Sequence, residues 1–210
     1  MITVKNGLLI SVEGIDGCGK STFIKNLQRK LQEHNVDHII TKEPGGSPLG
    51  KLLRQIILTK EVPLCSKSEY LLFAADRAQH IEQIIKPALI DNKVIVSDRM
   101  GDSSIVYQGY ARGLDIDMIK TINAWATNGT VPDIIFYLNI DVPTAFKRIY
   151  ERKEELTSFE REHEDFMYKV KKGFDELFNN KDNVVKLDAH QTPDTLAQQA
   201  IEVILQKAKK

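Results

Sequence analysis

The chain has 210 residues, 42% hydrophobic and 28% charged, proportions that support a packed core without disulfides or structural metal and exclude global disorder. Lys plus Arg balances Asp plus Glu, 29 against 29, so total charge does not draw the chain to nucleic acid. Two cysteines, Cys18 and Cys65, match no zinc spacing, five histidines form no two-His motif, and no apolar run reaches membrane-spanning length; the expectation is a cytoplasmic protein with no membrane or nucleic-acid partner.

In chain order, the apolar run Leu8–Val12 predicts a buried strand. It leads into Gly14-Ile15-Asp16-Gly17-Cys18-Gly19-Lys20-Ser21, and a helical pattern then runs from Ser21 to Leu31 with Phe23, Leu27 and Leu31 at spacings of four. Strand, glycine loop, Lys-Ser and helix in this order are the Walker A pattern. The glycines let backbone N–H groups turn around phosphates, and the helix N-terminus adds partial positive charge. Lys20 can reach the β- and γ-phosphates, and the Ser21 hydroxyl can sit on Mg²⁺. A Gly-rich turn with an exposed lysine is the bland alternative, and the surrounding order of elements weighs against it.

A second strand, His38–Thr41, precedes Lys42-Glu43-Pro44-Gly45-Gly46. An amphipathic stretch over Ser66–Ile85 predicts a long helix ending before Pro87. The strand Val94–Ser97 delivers Asp98-Arg99 at its carboxyl end, where ligands gather in doubly wound sheets. The acid can hold Mg²⁺ and the arginine can fork onto a phosphate. Strands over Ile134–Leu138 and, more weakly, Val184–Leu187 alternate with helices over Pro143–Arg152, Phe159–Phe178 and Thr192–Lys207. This alternation gives an α/β domain with a mainly parallel sheet and right-handed crossovers. The polar stretch Glu151–Glu164 reads equally as a mobile flap or as a solvated helix face. A guanine-reading Asn-Lys-x-Asp element occurs only with broken spacing, at Asn180-Lys181-Asp182, which disfavours a GTPase.

The run Asp98-Arg99-Met100-Gly101-Asp102-Ser103-Ser104-Ile105-Val106-Tyr107-Gln108-Gly109 closely resembles the Asp-Arg region of thymidylate kinases. Lys42-Glu43-Pro44-Gly45-Gly46, Leu72-Phe73-Ala74-Ala75-Asp76-Arg77 and Asn139-Ile140-Asp141-Val142-Pro143 resemble further elements of the bacterial branch, in the same order. The resemblance implies one three-layer P-loop kinase domain over residues 1–210, with a five-stranded parallel sheet and a mobile lid at about 148–164. It implies a cytoplasmic homodimer, with the helices around Ser66–Ile81 and Ser104–Trp125 in contact. The implied reaction is direct phosphoryl transfer from ATP to dTMP with Mg²⁺, giving dTDP for dTTP synthesis.

Residue by residue, the resemblance implies an ATP site at Gly14, Ile15, Asp16, Gly17, Cys18, Gly19, Lys20, Ser21 and Thr22, with metal at Ser21 and Asp98. Arg99 and Arg54 would hold the dTMP phosphate. Phe73 would stack on thymine, Arg77 would bond a thymine carbonyl and Gln108 would read the base edge. Tyr107 would crowd the sugar 2′ position, and Asp16 would bind the 3′-hydroxyl or help position the metal. Glu43, Ser103 and Ser104 complete the substrate set; Lys20, Asp16, Arg99 and Arg152 form the catalytic set.

Three positions depart from the family pattern. Lys42 replaces an arginine and loses its bidentate fork. Gly17 leaves the phosphate loop without an arginine, and Ser158 stands where a lid arginine is expected. The catalytic cation then falls to Arg152, Lys153 or Arg161; Arg152, four residues after Arg148 and on the same helix face, is the choice. Alternatives are a kinase for another deoxynucleoside monophosphate such as dUMP, or a catalytically weak nucleotide-binding regulator. The Lys42 and Ser158 departures motivate the second; Lys20, Ser21, Asp98 and Arg99 oppose it.

Overall fold

The computed structural model describes residues 7–59, 63–152 and 156–208. Lys153 lies outside these residues. Five parallel strands, β1 (Leu8–Glu13), β2 (His38–Lys42), β3 (Val94–Asp98), β4 (Ile134–Asn139) and β5 (Val184–Asp188), pair in the order β2-β3-β1-β4-β5. Each strand runs one residue beyond its predicted carboxyl end. The added residues, Glu13, Lys42, Asp98, Asn139 and Asp188, are polar, so they end the apolar run without ending the hydrogen-bond ladder.

Helices α1 (Lys20–Glu33), α2 (Pro48–Thr59), α3 (Ser66–His80), α4 (Lys86–Ile90), α5 (Gly101–Ser104), α6 (Ile116–Ala126), α7 (Val142–Glu151), α8 (Glu164–Phe178) and α9 (Pro193–Ala208) surround the sheet. π-Helical turns over Ile81–Ile85 and Ile105–Ala111 extend α3 and α5. All six residues of β1 are buried, which is why the strand reads as a continuous apolar run. Leu8, Ile10 and Val12 join one core with Phe23, Leu27 and Ile201, while Leu9 joins a separate one with Ile81, Ile85 and Ile95. Side chains alternating along one strand thus meet helices on both faces, giving three layers.

Two boundaries and one helix differ from expectation. The helix expected to end before Pro87 runs on through the π-helical turn Ile81–Ile85 into α4, where Pro87 sits in the first turn. The helix expected from Phe159 begins at Glu164, and Thr157–Arg161 form a turn. Phe159 and Glu160 in that turn are buried, so the described part of the polar stretch is not a solvated helix face. Helix α2 was not among the predicted helices; its apolar Leu49, Leu52 and Ile56 are exposed. β1 is flanked by β3 on one side and β4 on the other, and the crevice at their carboxyl ends is where such a sheet places ligands.

Candidate active site

The loop between β1 and α1 turns at Gly14 (φ 144°), Gly17 (φ 80°) and Gly19 (φ 99°), conformations in which a side chain is strained. A Cβ at Gly17 would lie 2.3 Å from the Ala145 carbonyl oxygen. Packing of α7 on the loop therefore accounts for the absence of an arginine there. Helix α1 starts with no side-chain cap and no acid in its first turn, which leaves its first N–H groups to an outside anion. Lys20 Nζ donates to the carbonyls of Gly14 (3.1 Å) and Ile15 (3.0 Å), and it lies 4.0 Å from Asp16 Oδ1.

Across the crevice, Arg99 follows β3 in a left-handed conformation (φ 69°), held by its N–H donating to the Val12 carbonyl at 3.0 Å. Strain of this kind persists where surrounding contacts over-determine it. Its guanidinium donates to Gly14 O at 3.1 Å, Ser103 Oγ at 3.0 Å, Asp16 Oδ1 at 2.5 Å and Tyr107 Oη at 3.1 Å. Tyr107 donates in turn to Asp16 Oδ2 at 3.0 Å. Burial would raise the Asp16 carboxyl, but the charges of Arg99 and Lys20 outweigh it and hold it below the ordinary range. Among the described residues, Asp98 Oδ1 is buried with no hydrogen-bond partner; Asp98 and the exposed Ser21 line the same cleft.

The far end of the cleft is built on α3. Arg77, 1% exposed, donates to Glu43 Oε2 (2.9 Å), Asn123 Oδ1 (2.7 Å) and Ser104 Oγ (3.0 Å). Glu43 Oε1 also accepts from His80 Nδ1 at 3.0 Å. Burial alone would lift the Glu43 carboxyl, but Arg77 and His80 outweigh it and keep it below its usual range. Gln108 donates to Glu69 at 3.0 Å. Phe73 faces Phe159 of the 157–161 turn, centroids 6.1 Å apart, and Phe159 meets Tyr107 edge-on at 5.8 Å. Arg152 donates to Glu160 at 2.7 Å, while Arg148 donates to Cys18 O at 3.4 Å and Ala189 O at 3.0 Å. Glu43, Phe73, Arg77, Gln108, Arg148 and Arg152 line one cleft of about 720 Å³ with the phosphate loop and Arg99.

A family model described as thymidylate kinase matches residues 12–201. The thymidylate kinase of Halothermothrix orenii is 43% identical over 192 residues, covering 90% of this chain and 92% of that protein. Those of Finegoldia magna and Fervidobacterium nodosum are 40% and 36% identical, covering 94% and 93% of this chain and 97% and 98% of their own lengths. The chain belongs to the thymidylate kinase family.

In this family member the cleft gathers Asp16, Gly17, Gly19, Lys20, Ser21, Thr22, Glu43, Arg54, Phe73, Arg77, Asp98, Arg99, Ser103, Ser104, Tyr107, Gln108 and Arg152 from the sequence-derived set. Gly14 contributes its carbonyl to Lys20 and Arg99. The side chains of Ile15 and Cys18 are instead buried in the core, so only their backbone can serve a nucleotide. Arg54 is anchored by donating to the Pro44 carbonyl at 2.9 Å. Arg161 is exposed, does not line the cleft, and donates to Leu156 O at 3.0 Å. Sequence reasoning missed Glu13, Glu69, His80 and Asn123, which hold cleft residues, and Arg112, which holds Glu69. The available signal was polar groups on the buried face of α3, where Glu69, Phe73 and Arg77 recur every four residues.

Proposed function

We infer that the chain transfers the γ-phosphoryl group of ATP directly to dTMP, giving ADP and dTDP. The observation that carries this is one cleft holding the phosphate loop and the Asp98-Arg99 pair at one end and Phe73, Arg77 and Gln108 at the other. A donor phosphate at the uncapped start of α1 and an acceptor phosphate at Arg99 would meet between Lys20 and Asp16. Both reacting groups are anionic, so the protein's work is positioning and charge compensation. The acceptor is already a phosphate oxygen, and no covalent nucleophile or dedicated base is required.

The residues present fit Mg²⁺: an unpartnered buried oxygen on Asp98 and the Ser21 hydroxyl are oxygen donors of the kind it takes. When bound, the ion neutralises charge on the phosphates. Arg99 and Arg54 hold the acceptor phosphate, and Asp16 takes the 3′-hydroxyl. Tyr107, pinned by Asp16 and Arg99, fills the 2′ side. Phe73 stacks on the base. Arg77 donates to a ring carbonyl, and Gln108 reads the ring edge. Lys20 and Arg152 meet charge on the transferring group, with Arg148 bracing the phosphate loop.

The described residues are read as one kinase domain, with the lid in its described part at 148–152 and 156–164. A homodimer is supported by Leu71 on α3 and by Met118 and Trp125 on the adjoining α6, which are 54%, 57% and 79% exposed. Trp125→Glu is expected to yield monomers in sedimentation velocity; an unchanged dimer excludes this face. No helix among the described residues is long and apolar enough to cross a membrane. Both cysteines are free thiols, which fits a reducing cytoplasm. A coupled ADP-release assay against every common nucleoside monophosphate tests the function. dTMP is expected to give the highest kcat/KM, and absence of dTMP-dependent ADP release overturns the reading.

A further inference from the structure

Glu69 is 2% exposed on α3, one turn before Phe73 and two before Arg77, both of which line the cleft. Its Oε1 accepts from Gln108 Nε2 at 3.0 Å and from Arg112 Nε at 2.7 Å. Arg112 is itself fixed: its NH2 donates to Glu162 Oε1 at 2.8 Å, and its guanidinium lies 5.0 Å and 5.6 Å from the ring centres of Phe166 and Phe159. Arginine has donors only, so the oxygen it meets is an acceptor. An acceptor facing the Gln108 amide must meet its NH2 group. The side-chain amide is planar, with nitrogen and oxygen on opposite sides, so this contact decides which one Gln108 turns away from Glu69.

We propose that Glu69 is a specificity-determining positioning residue: it fixes the Gln108 amide with its nitrogen toward α3 and its carbonyl oxygen toward the bound base. The proposal rests on the dTMP kinase reading and deepens it. Arg77 contributes donors only, so the two side chains present a donor beside an acceptor. Thymine and uracil match with a ring carbonyl at C4 and an N–H at N3. Cytosine carries an amino group at C4 and a bare N3, the reverse pattern, and its N3 lone pair would face the Gln108 oxygen. A glutamine unconstrained by Glu69 could turn its amide over and meet cytosine N3 with an N–H. Sites that hydrogen-bond a substrate edge reject the mismatched edge strongly, because buried polar groups are left opposed.

The test is steady-state kinetics with dTMP and dCMP on the wild type, Glu69→Leu, Glu69→Asp and Gln108→Met. Glu69→Leu removes the acceptor, so Gln108 is no longer held one way round; an amide at position 69 would not do this, because Arg112 would keep its oxygen at the shared position. The ratio of kcat/KM for dTMP over dCMP is expected to narrow by at least about 10-fold, with the KM for ATP unchanged. Glu69→Asp keeps an acceptor-only group and is expected to retain the wild-type ratio even where total activity falls. A purely structural role would lower both substrates equally in Glu69→Leu, and that result overturns the proposal. Should Glu69→Leu not fold, Gln108→Met still decides, because an unchanged ratio there shows that position 108 does not read the base. A wild type with no dTMP-dependent turnover would instead sink the kinase reading, so the two failures are distinguishable.

Discussion

Replacing Glu43 by glutamine tests whether the base end of the cleft is held by charge. Glu43 and Arg77 are both almost wholly buried, 3% and 1% exposed. The Glu43 carboxylate receives two N–H groups, from Arg77 Nε at 2.9 Å and His80 Nδ1 at 3.0 Å. Glutamine has the same shape but no charge; its amide oxygen can keep Arg77, and its NH2 can meet His80 only in the tautomer with a bare Nδ1, so what is lost is the carboxylate charge beside Arg77. The remaining Arg77 partners on this side, Asn123 and Ser104, are neutral. Removing one partner of a buried ion pair costs about 3–5 kcal/mol, against a total stability of about 5–15 kcal/mol. Asp76 offsets part of this. Its carboxyl is pushed up to about 6 by burial and by the Glu43 charge, and losing that charge relieves the repulsion between the two carboxylates. The lower end, about 3 kcal/mol, is therefore expected, a fall in Tm of about 6–12 °C for a chain of this size. Urea titration at neutral pH with matched m-values measures it, and KM for dTMP should rise more than KM for ATP. A loss below about 1 kcal/mol would refute the assignment of a charged clamp.

Lys20→Ala is expected to lower turnover by about 10²–10³-fold, the scale of one preorganised donor, while near-ultraviolet circular dichroism keeps its native form; near-normal turnover contradicts the role given to Lys20. Arg152→Ala is expected to lower turnover by at least about 10²-fold with little change in KM for ATP, because a finger contact strengthens as charge develops. Arg161→Ala, outside the cleft, should change neither in the same single-turnover measurements. Glu13 gives a pH signature: burial first, then the Asp102 charge, push its carboxyl to about 8. The folded chain then holds a proton that the unfolded chain has released, so stability falls as pH rises from about 4.5 to about 8, by up to about 1.4 kcal/mol per unit. Glu13→Gln should flatten that fall in urea midpoints taken at pH 5, 6, 7 and 8, and an unaltered slope refutes the assignment.

The sheet was legible in the sequence because strands buried on both faces are unbroken apolar runs, as in Leu8–Val12. The phosphate loop was legible because its backbone needs glycine at 14 and 19, and that demand leaves a mark in sequence. Glu69 and His80 were not legible. Each is a polar residue on a buried helix face, and its role depends on partners 39 and 37 residues away, Gln108 and Glu43. The start of α8 was overcalled because Phe159 continues a helical spacing, yet it leaves the helix to pack on Phe73 and Tyr107. The Gly17 departure read as a missing arginine; in the fold it is the space taken by Ala145 of α7.

Direct transfer between two bound nucleotides is tested most closely by following the γ-phosphorus itself. ATP labelled at the γ-phosphate is mixed with the protein, Mg²⁺ and dTMP, quenched on the timescale of one turnover, and the nucleotides are separated. Label is expected in the β-phosphate of dTDP at the rate at which ADP appears, with none released as inorganic phosphate and none transferred by Lys20→Ala at that timescale. Label appearing first as free phosphate, or dTMP remaining unlabelled while ATP is consumed, would contradict it.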